Sequence, residues 1–217
     1  MALPKLQLAL DTDTLITALD VVQKVSEEID VIEVGTVLVL QEGINSVRTI
    51  RTLYPDHIIL SDVRIIKAGG KLSKICFENG ANWITVISDA SKDTIESVVK
   101  ESKKYKDTDI QIEINESYDD DQLDYFKSLG ITQIIYHRSS EIKDEEKKWS
   151  QSTLDEIKRL ANKGFRVSIT GGLDIDEIKL FKDIPVYCFI VGRKICKDLD
   201  PKRVAKEYKN EILRVFS

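Results

Sequence analysis

Short apolar runs alternate along the chain with longer segments in which apolar residues recur at helical spacing. Eight runs predict strands, and a predicted helix follows each of them. The predicted strands are Lys5–Asp11, Asp30–Val34, His57–Asp62, Trp83–Ile87, Asp109–Ile114, Gln133–His137, Arg166–Thr170 and Val186–Val191. The predicted helices run from after Asp11 to about Ile29, then over Gly43–Leu53, Lys71–Glu78, Lys92–Lys104, Asp120–Leu129, Ser152–Ala161, Asp174–Phe181 and Pro201–Val215.

Several of these strands are continuously apolar, which is typical of parallel strands that are buried on both faces. Eight strand–helix units in 217 residues predict a single (β/α)₈ TIM barrel that occupies residues 1–217 as one domain. A doubly wound open sheet is the alternative. The charged run at 143–148 is interpreted as a solvated loop before the helix that follows the sixth strand.

Composition narrows the class of protein. Apolar residues make up 42% of the chain, which is enough for a sizeable core. The formal net charge of −5 offers no basic excess for binding a phosphate backbone, which argues against nucleic acid as a partner. The N-terminal residues predict no signal peptide, and no apolar stretch predicts a membrane span. Three cysteines without a CxxC motif are expected to be free thiols in a reducing cytoplasm.

Polar residues end nearly every predicted strand. In a TIM barrel these ends meet at one rim, where the active site is built. The residues at the rim are Asp11, Glu33, Asp62, Thr85, Glu113, His137, Thr170 and Gly192. Each acid taken singly reads as a helix cap. Four carboxylates and a histidine on one rim repel one another, so together they favour a bound divalent cation or a cationic side chain.

A second signal lies at the last two strands. Strand seven ends in Thr170, Gly171 and Gly172, and strand eight ends in Gly192 and Arg193. Glycines there let backbone N–H groups approach an anion, and Arg193 can add a charge-assisted contact. These loops commonly bind phosphate in TIM barrels. The sequence therefore predicts a phosphate site at these five residues.

Motifs at the strand ends resemble a known family. They are LALD ending at Asp11, VIEVGT around Glu33, Asp62 with Ala68 and Gly69, QIE ending at Glu113, YHRS around His137, TGGL from Thr170, and IVGR ending at Arg193. The chain resembles the 3-keto-L-gulonate-6-phosphate decarboxylase and hexulose-6-phosphate synthase branch of the orotidine-5′-phosphate decarboxylase superfamily, nearly from end to end.

The resemblance implies a homodimeric, Mg²⁺-dependent barrel that acts on a small sugar phosphate through an enediolate. It implies Glu33 and Asp62 as magnesium ligands, and it places Asp11, Glu113 and His137 against the substrate. The phosphate would be held by Gly172, Gly192 and Arg193.

Three positions depart from the family pattern of Asp-x-Lys-x-x-Asp after strand three and an arginine three residues after the strand-six histidine. Here they are Arg64, Lys67 and Ser140. Arg64 can stabilise negative charge but is a poor proton donor. Lys67 is expected to have a lowered pKa beside Arg64 and to serve as an acid or a nucleophile.

These features predict a sugar-phosphate lyase whose candidate catalytic residues are Asp11, Asp62, Arg64, Lys67, Glu113 and His137. A hexulose-6-phosphate synthase-type aldolase or a related isomerase is one alternative. A phosphosugar-binding protein with little or no turnover is the alternative of another class, because of the three departures.

Overall fold

The protein forms a closed barrel of eight parallel strands in sequence order, surrounded by helices. The computed structural model describes residues 3–115, 117–138 and 149–217. The strands are β1 Lys5–Leu10, β2 Val31–Val34, β3 Ile58–Ile65, β4 Trp83–Ile87, β5 Asp109–Ile114, β6 Gln133–His137, β7 Arg166–Thr170 and β8 Val186–Val191. The prediction of a (β/α)₈ TIM barrel is confirmed, and an open sheet is excluded. The predicted loop at 143–148 lies outside the described residues.

Helices connect the strands on the outside of the barrel. They are α1 Leu15–Val25, α2 Thr36–Glu42, α3 Asn45–Leu53, α4 Gly69–Glu78, α5 Lys92–Ser102, α6 Asp120–Ser128, α7 Gln151–Asn162, α8 Arg193–Cys196 and α9 Pro201–Phe216, with 3₁₀ helices at Ser26–Glu28 and Ile175–Phe181. None of the helices in the described ranges has the length and apolar character needed to cross a bilayer.

Apolar side chains fill the layer between the barrel and its helices, and this layer forms the main core. Inside the barrel, Val31, Leu60 and Trp83 form a small apolar cluster. Fully buried Gln7, Gln111 and Gln133 also lie on the strands, and the Gln111 amide donates to Gln133 Oε1 at 2.9 Å. The strands are therefore buried on both faces, as their continuous apolar runs predict.

Several predicted boundaries are wrong, and β3 is the most informative case. It continues three residues past the predicted end at Asp62, and its pairing with β4 is irregular between Ser61 and Ile65. Arg64 lies at this irregularity with a left-handed φ of +42°. Its backbone N–H donates to the Thr85 hydroxyl at 2.9 Å. Arg64 is thus held by the barrel wall.

Two helices were not predicted. Helix α2 occupies the segment between the second strand and Gly43, and Gly43 lies between α2 and α3 with φ +69°. Helix α8 begins directly after Gly192. Predicted helices also shift at their ends, since α1 stops at Val25 and α4 begins at Gly69.

The three cysteines are free thiols, as predicted. Burial raises the pKa of Cys76 to about 11 and that of Cys196 to about 12. Both thiols are therefore protonated near neutral pH, and neither behaves as a reactive thiolate.

Gly80 gives a test of packing at the amino-terminal end of β4. Its φ is +94°, and a Cβ there would lie 2.5 Å from Arg51 Cγ. Arg51 cannot easily move, because its guanidinium donates to the carbonyls of Gly80 and Pro55. Gly164 has a similar φ of +93° after α7 but has no atom within 4 Å of its added Cβ.

Replacing Gly80 with alanine should therefore destabilise the fold more than the matched change at Gly164. Both variants adopt a left-handed conformation at a cost of about 1–2 kcal/mol. Only Gly80→Ala adds overpacking, which costs about 1 kcal/mol or more. Thermal unfolding should show a melting temperature about 2–4 °C below that of Gly164→Ala. Equal melting temperatures would show that Arg51 gives way.

Candidate active site

A cavity of about 1110 Å³ opens at the carboxyl ends of the strands. It brings together residues from every strand end that the sequence singled out. The predicted residues that line it are Asp11, Glu33, Asp62, Arg64, Thr85, Glu113, His137, Thr170, Gly171, Gly172, Gly192 and Arg193. Lys67 is not among the lining residues.

Asp62 is the most firmly held carboxylate in this cavity. It is 4% exposed, and its two oxygens accept hydrogen bonds from the hydroxyls of Thr85 at 2.6 Å and Thr36 at 2.7 Å. Thr36 also donates to the Asp62 backbone carbonyl. These neutral donors fix the side chain and leave its negative charge in place.

Glu33 lies beside Asp62 and carries the most perturbed carboxyl group of the site. Burial raises the pKa of Glu33 well above its usual range, and the nearby charge of Asp62 raises it further. The amide of Gln7 donates to Glu33 Oε2 at 2.6 Å and opposes this rise in pKa. The two carboxylates are thus held together at an energetic cost that a nearby cation relieves.

Arg64 supplies one such cation. Its Nε lies 3.5 Å from Asp62 Oδ2 and 3.4 Å from Glu113 Oε2. Burial tends to lower the pKa of Arg64, but the surrounding carboxylates outweigh this effect and raise it. The guanidinium therefore stays charged, and it bridges the acids of β3 and β5.

Glu113 joins Arg64 to the predicted catalytic histidine. His137 Nδ1 lies 3.0 Å from Glu113 Oε1. Burial favours a higher pKa for Glu113, but the hydrogen bond with His137 and the charge of Arg64 lower it below its usual value. Glu113 is thus an ionised acceptor that orients the imidazole ring.

The other two departures from the family pattern are placed differently. Lys67 is exposed and forms no ion pair within the described part of the chain. Arg64 points to Asp62 and Glu113, so Lys67 does not share its contacts. Ser140 lies outside the described residues.

The loops after β7 and β8 form the opposite wall of the cavity. Gly171 and Gly172 adopt φ values of +111° and +74°. A Cβ at Gly171 would lie 2.3 Å from the carbonyl oxygen of Arg138, so this position requires glycine. Gly192 precedes α8, whose first residue is Arg193. Arg193 is exposed and has no ion-pair partner among the described residues.

Arg138 is the functional candidate that the sequence analysis did not select. Its guanidinium donates to the carbonyls of Gly171 and Gly172 at 3.0 Å each and pairs with Glu177 at 3.0 Å. It also lies over the ring of Trp149, with Cζ 4.5 Å from the centroid. The only sequence signal is its position directly after His137.

Magnesium fits the acidic wall of the cavity. Glu33 and Asp62 are hard oxygen ligands on adjacent strands, and the raised pKa of Glu33 shows that the pair lacks positive charge. Glu33 Oε1 accepts no hydrogen bond from the described residues. Those residues also contain no cluster of three or more His, Cys, Asp or Glu side chains that could hold a metal. Mg²⁺ usually completes its coordination with water and substrate oxygens, so two carboxylates suffice.

A comparison with protein families assigns this site to a lineage. The model of the orotidine 5'-phosphate decarboxylase / HUMPS family matches residues 4–208. The chain belongs to this family. The matched range runs from the start of β1 into α9, so it includes every strand end that lines the cavity.

Relatives within the family have named activities. The chain is 38% identical over 216 residues to 3-keto-L-gulonate-6-phosphate decarboxylase UlaD of Escherichia coli (strain UMN026 / ExPEC), with full coverage of both chains. The same enzyme from Streptococcus mutans, solved in complex with ribulose 5-phosphate, has a TM-score of 0.96 at 38% identity and full coverage of both chains. 3-Hexulose-6-phosphate synthase from Salmonella typhimurium has a TM-score of 0.84 at 25% identity, covering 97% of this chain and 99% of that one.

Proposed function

We propose that the protein is a carbon–carbon lyase that acts on a sugar phosphate, most closely resembling 3-keto-L-gulonate-6-phosphate decarboxylase. One observation carries the proposal. A single cavity has a cluster of carboxylates with a bridging arginine on one wall and the glycine turns with Arg193 on the other. A substrate with a phosphate at one end and hydroxyls at the other matches these two walls.

The roles of the chain's own residues follow from their contacts. Gly172, Gly192 and Arg193 bind the phosphate, and Asp11 lies at the opposite rim of the cavity, where it binds substrate hydroxyls. Arg64 stabilises negative charge on the oxygens of an enediolate intermediate. Because its guanidinium stays protonated, Arg64 does not deliver the proton to carbon. His137, oriented by Glu113, is placed to do so, directly or through water.

The proposal includes magnesium held by Glu33 and Asp62. When bound, magnesium supplies positive charge for the oxygens of the ketose. Gln7, Thr36 and Thr85 hold the two carboxylates in place through their hydrogen bonds. The raised pKa of Glu33 and the two-carboxylate donor set support this assignment.

A binding protein with little turnover is the second candidate. The observation that favours it is Arg64, whose Nε lies close to both Asp62 and Glu113 and occupies the centre of the acidic wall. An aldolase of the hexulose-6-phosphate synthase type is a further candidate, supported by the likeness to the Salmonella enzyme. Incubating the protein with candidate sugar phosphates and Mg²⁺, and measuring carbon dioxide and formaldehyde, separates the three.

The proposal also includes a homodimer in the cytoplasm. The resemblance to the decarboxylase branch supports the dimer, in which the stretch from Arg64 to Gly70 helps to form the site across the interface. An exposed Lys67 is consistent with a role at such an interface. The free thiols fit a reducing compartment.

Arg193→Ala tests the phosphate site. A charge-assisted hydrogen bond contributes about 1.5 kcal/mol or more, so the variant should bind the sugar phosphate at least about tenfold more weakly. Calorimetry with ribulose 5-phosphate measures this change. Lys194→Ala is the matched control, because Lys194 lies in the same helix but is paired with Asp174 at 2.5 Å. Unchanged affinity in Arg193→Ala would refute this placement of the phosphate.

A further inference from the structure

The turn at Gly171 and Gly172 depends on contacts from the neighbouring loop. Both of its carbonyls accept hydrogen bonds from the Arg138 guanidinium, from Nε to Gly171 and from Nη2 to Gly172, each at 3.0 Å. The backbone N–H of Arg138 also donates to the Thr170 carbonyl at 3.0 Å. Arg138 therefore contacts three consecutive carbonyls at the end of β7.

These contacts determine which way the opposite peptide groups face. In a trans peptide the C=O and the following N–H point in opposite directions, and the described chain contains no cis peptide. With two carbonyls turned to Arg138, the N–H groups of Gly172 and Leu173 point away from its guanidinium. In the described ranges neither N–H has a hydrogen-bond acceptor, and both residues line the cavity.

Arg138 itself carries little net charge toward the cavity. Its side chain is 11% exposed, and Nη1 pairs with Glu177 Oε1 at 3.0 Å. Glu177 Oε2 in turn accepts from the Asp174 N–H at 2.8 Å, which closes the capping box of the 3₁₀ helix Ile175–Phe181. The Trp149 ring packs against the guanidinium. The arginine is thus locked between an acid and an aromatic ring while it holds the turn.

We infer that Arg138 is a positioning residue for anion binding: it holds the Gly171–Gly172 turn so that two backbone N–H groups are free for a phosphate. This inference rests on the proposed function, since it assumes that the phosphate binds at this turn. It assigns Arg138 an effect through the backbone and no direct charge contact. Glu177 and Trp149 support the arginine.

The test uses the full chain and inorganic phosphate as the probe. Arg138→Met keeps an aliphatic side chain beside Trp149 but removes every donor to the turn. Arg166→Met is the matched control at the other end of β7, because Arg166 also pairs with an acid, Asp109, and lies over an aromatic ring, Tyr187. The phosphate Kd should rise at least tenfold in Arg138→Met and stay within twofold in Arg166→Met.

A lysine variant separates positioning from charge. Arg138→Lys keeps the positive charge, but a single ammonium cannot reproduce the rigid fork that reaches both carbonyls. Its phosphate affinity should therefore resemble that of Arg138→Met. Wild-type affinity in Arg138→Lys would overturn the inference, because it would show that charge alone matters.

Amide spectra of the phosphate-free protein give a readout that does not depend on ligand. The amide resonances of Gly172 and Leu173 should shift strongly in Arg138→Met and stay in place in Arg166→Met. If both resonances stay in place in Arg138→Met, the inference is wrong. If they shift but wild-type protein binds no phosphate, the turn depends on Arg138 while the proposed phosphate site fails.

Discussion

Replacing Asp62 with asparagine is expected to reduce turnover of the sugar phosphate at least about a hundredfold, or about 2.7 kcal/mol of transition-state stabilisation. The variant removes one of the two carboxylates proposed to hold magnesium. It also removes a charge that lies 3.5 Å from Arg64 Nε. An amide offers one oxygen where Asp62 uses two to accept from Thr36 and Thr85, so the side chain loses its fixed orientation.

Initial rates measured across a magnesium titration test this expectation. Wild-type activity should fall when EDTA is added and return with excess Mg²⁺, whereas Asp62→Asn should stay inactive at every concentration. Asp109→Asn is the control, since Asp109 pairs with Arg166 at the far end of the barrel. Turnover within threefold of wild type, with unchanged magnesium dependence, would remove Asp62 from the mechanism.

Restoring the family pattern at the three departures is expected to raise decarboxylase activity at least about tenfold, equivalent to about 1.4 kcal/mol. The triple variant carries Arg64→Lys, Lys67→Asp and Ser140→Arg. An ammonium beside a carboxylate can donate and recover a proton, which a guanidinium does not do. Arg64→Lys also frees the space that the guanidinium occupies between Asp62 and Glu113.

Single variants distinguish this account from one in which Lys67 is the working acid. We expect Arg64→Lys alone and Lys67→Asp alone to gain less than the triple variant. If Lys67 is the acid, Lys67→Asp should instead abolish activity already present in the wild type. Assays of all four proteins on 3-keto-L-gulonate 6-phosphate separate the accounts. A wild type faster than the triple variant would contradict the role given to these substitutions.

Much of the barrel could be predicted, because buried parallel strands leave a direct hydrophobic signal. Strands β4 to β8 begin and end at the predicted residues. Their polar ends meet at one rim because all strands of a TIM barrel run the same way. That geometry placed Asp11, Glu33 and Glu113 in one cavity without any knowledge of tertiary contacts.

The rest depended on backbone detail that hydrophobic periodicity does not encode. The irregularity at Arg64 adds residues to β3 after a polar position, so the strand was predicted to stop at Asp62. The expectation that Lys67 lies beside Arg64 came from sequence spacing alone. The left-handed φ of Arg64 accompanies a side chain that points to Asp62 and Glu113, and Lys67 remains exposed.

Arg138 was missed for a different reason. Its importance comes from carbonyl groups of another loop, 33 and 34 positions away along the chain. Two glycines predicted an anion-binding turn, but they carry no information about which side chain holds it. Only the folded barrel shows that the residue after His137 contacts this turn.

The most direct test of the account is carbon dioxide release by the wild-type protein. Purified protein is incubated with 3-keto-L-gulonate 6-phosphate and Mg²⁺, with the unphosphorylated sugar acid and Asp62→Asn as controls. The account predicts release of carbon dioxide that depends on the substrate phosphate, stops with EDTA and is lost in Asp62→Asn. Tight binding of the sugar phosphate, with neither carbon dioxide nor formaldehyde produced, would contradict a lyase and identify the protein as a phosphosugar binder.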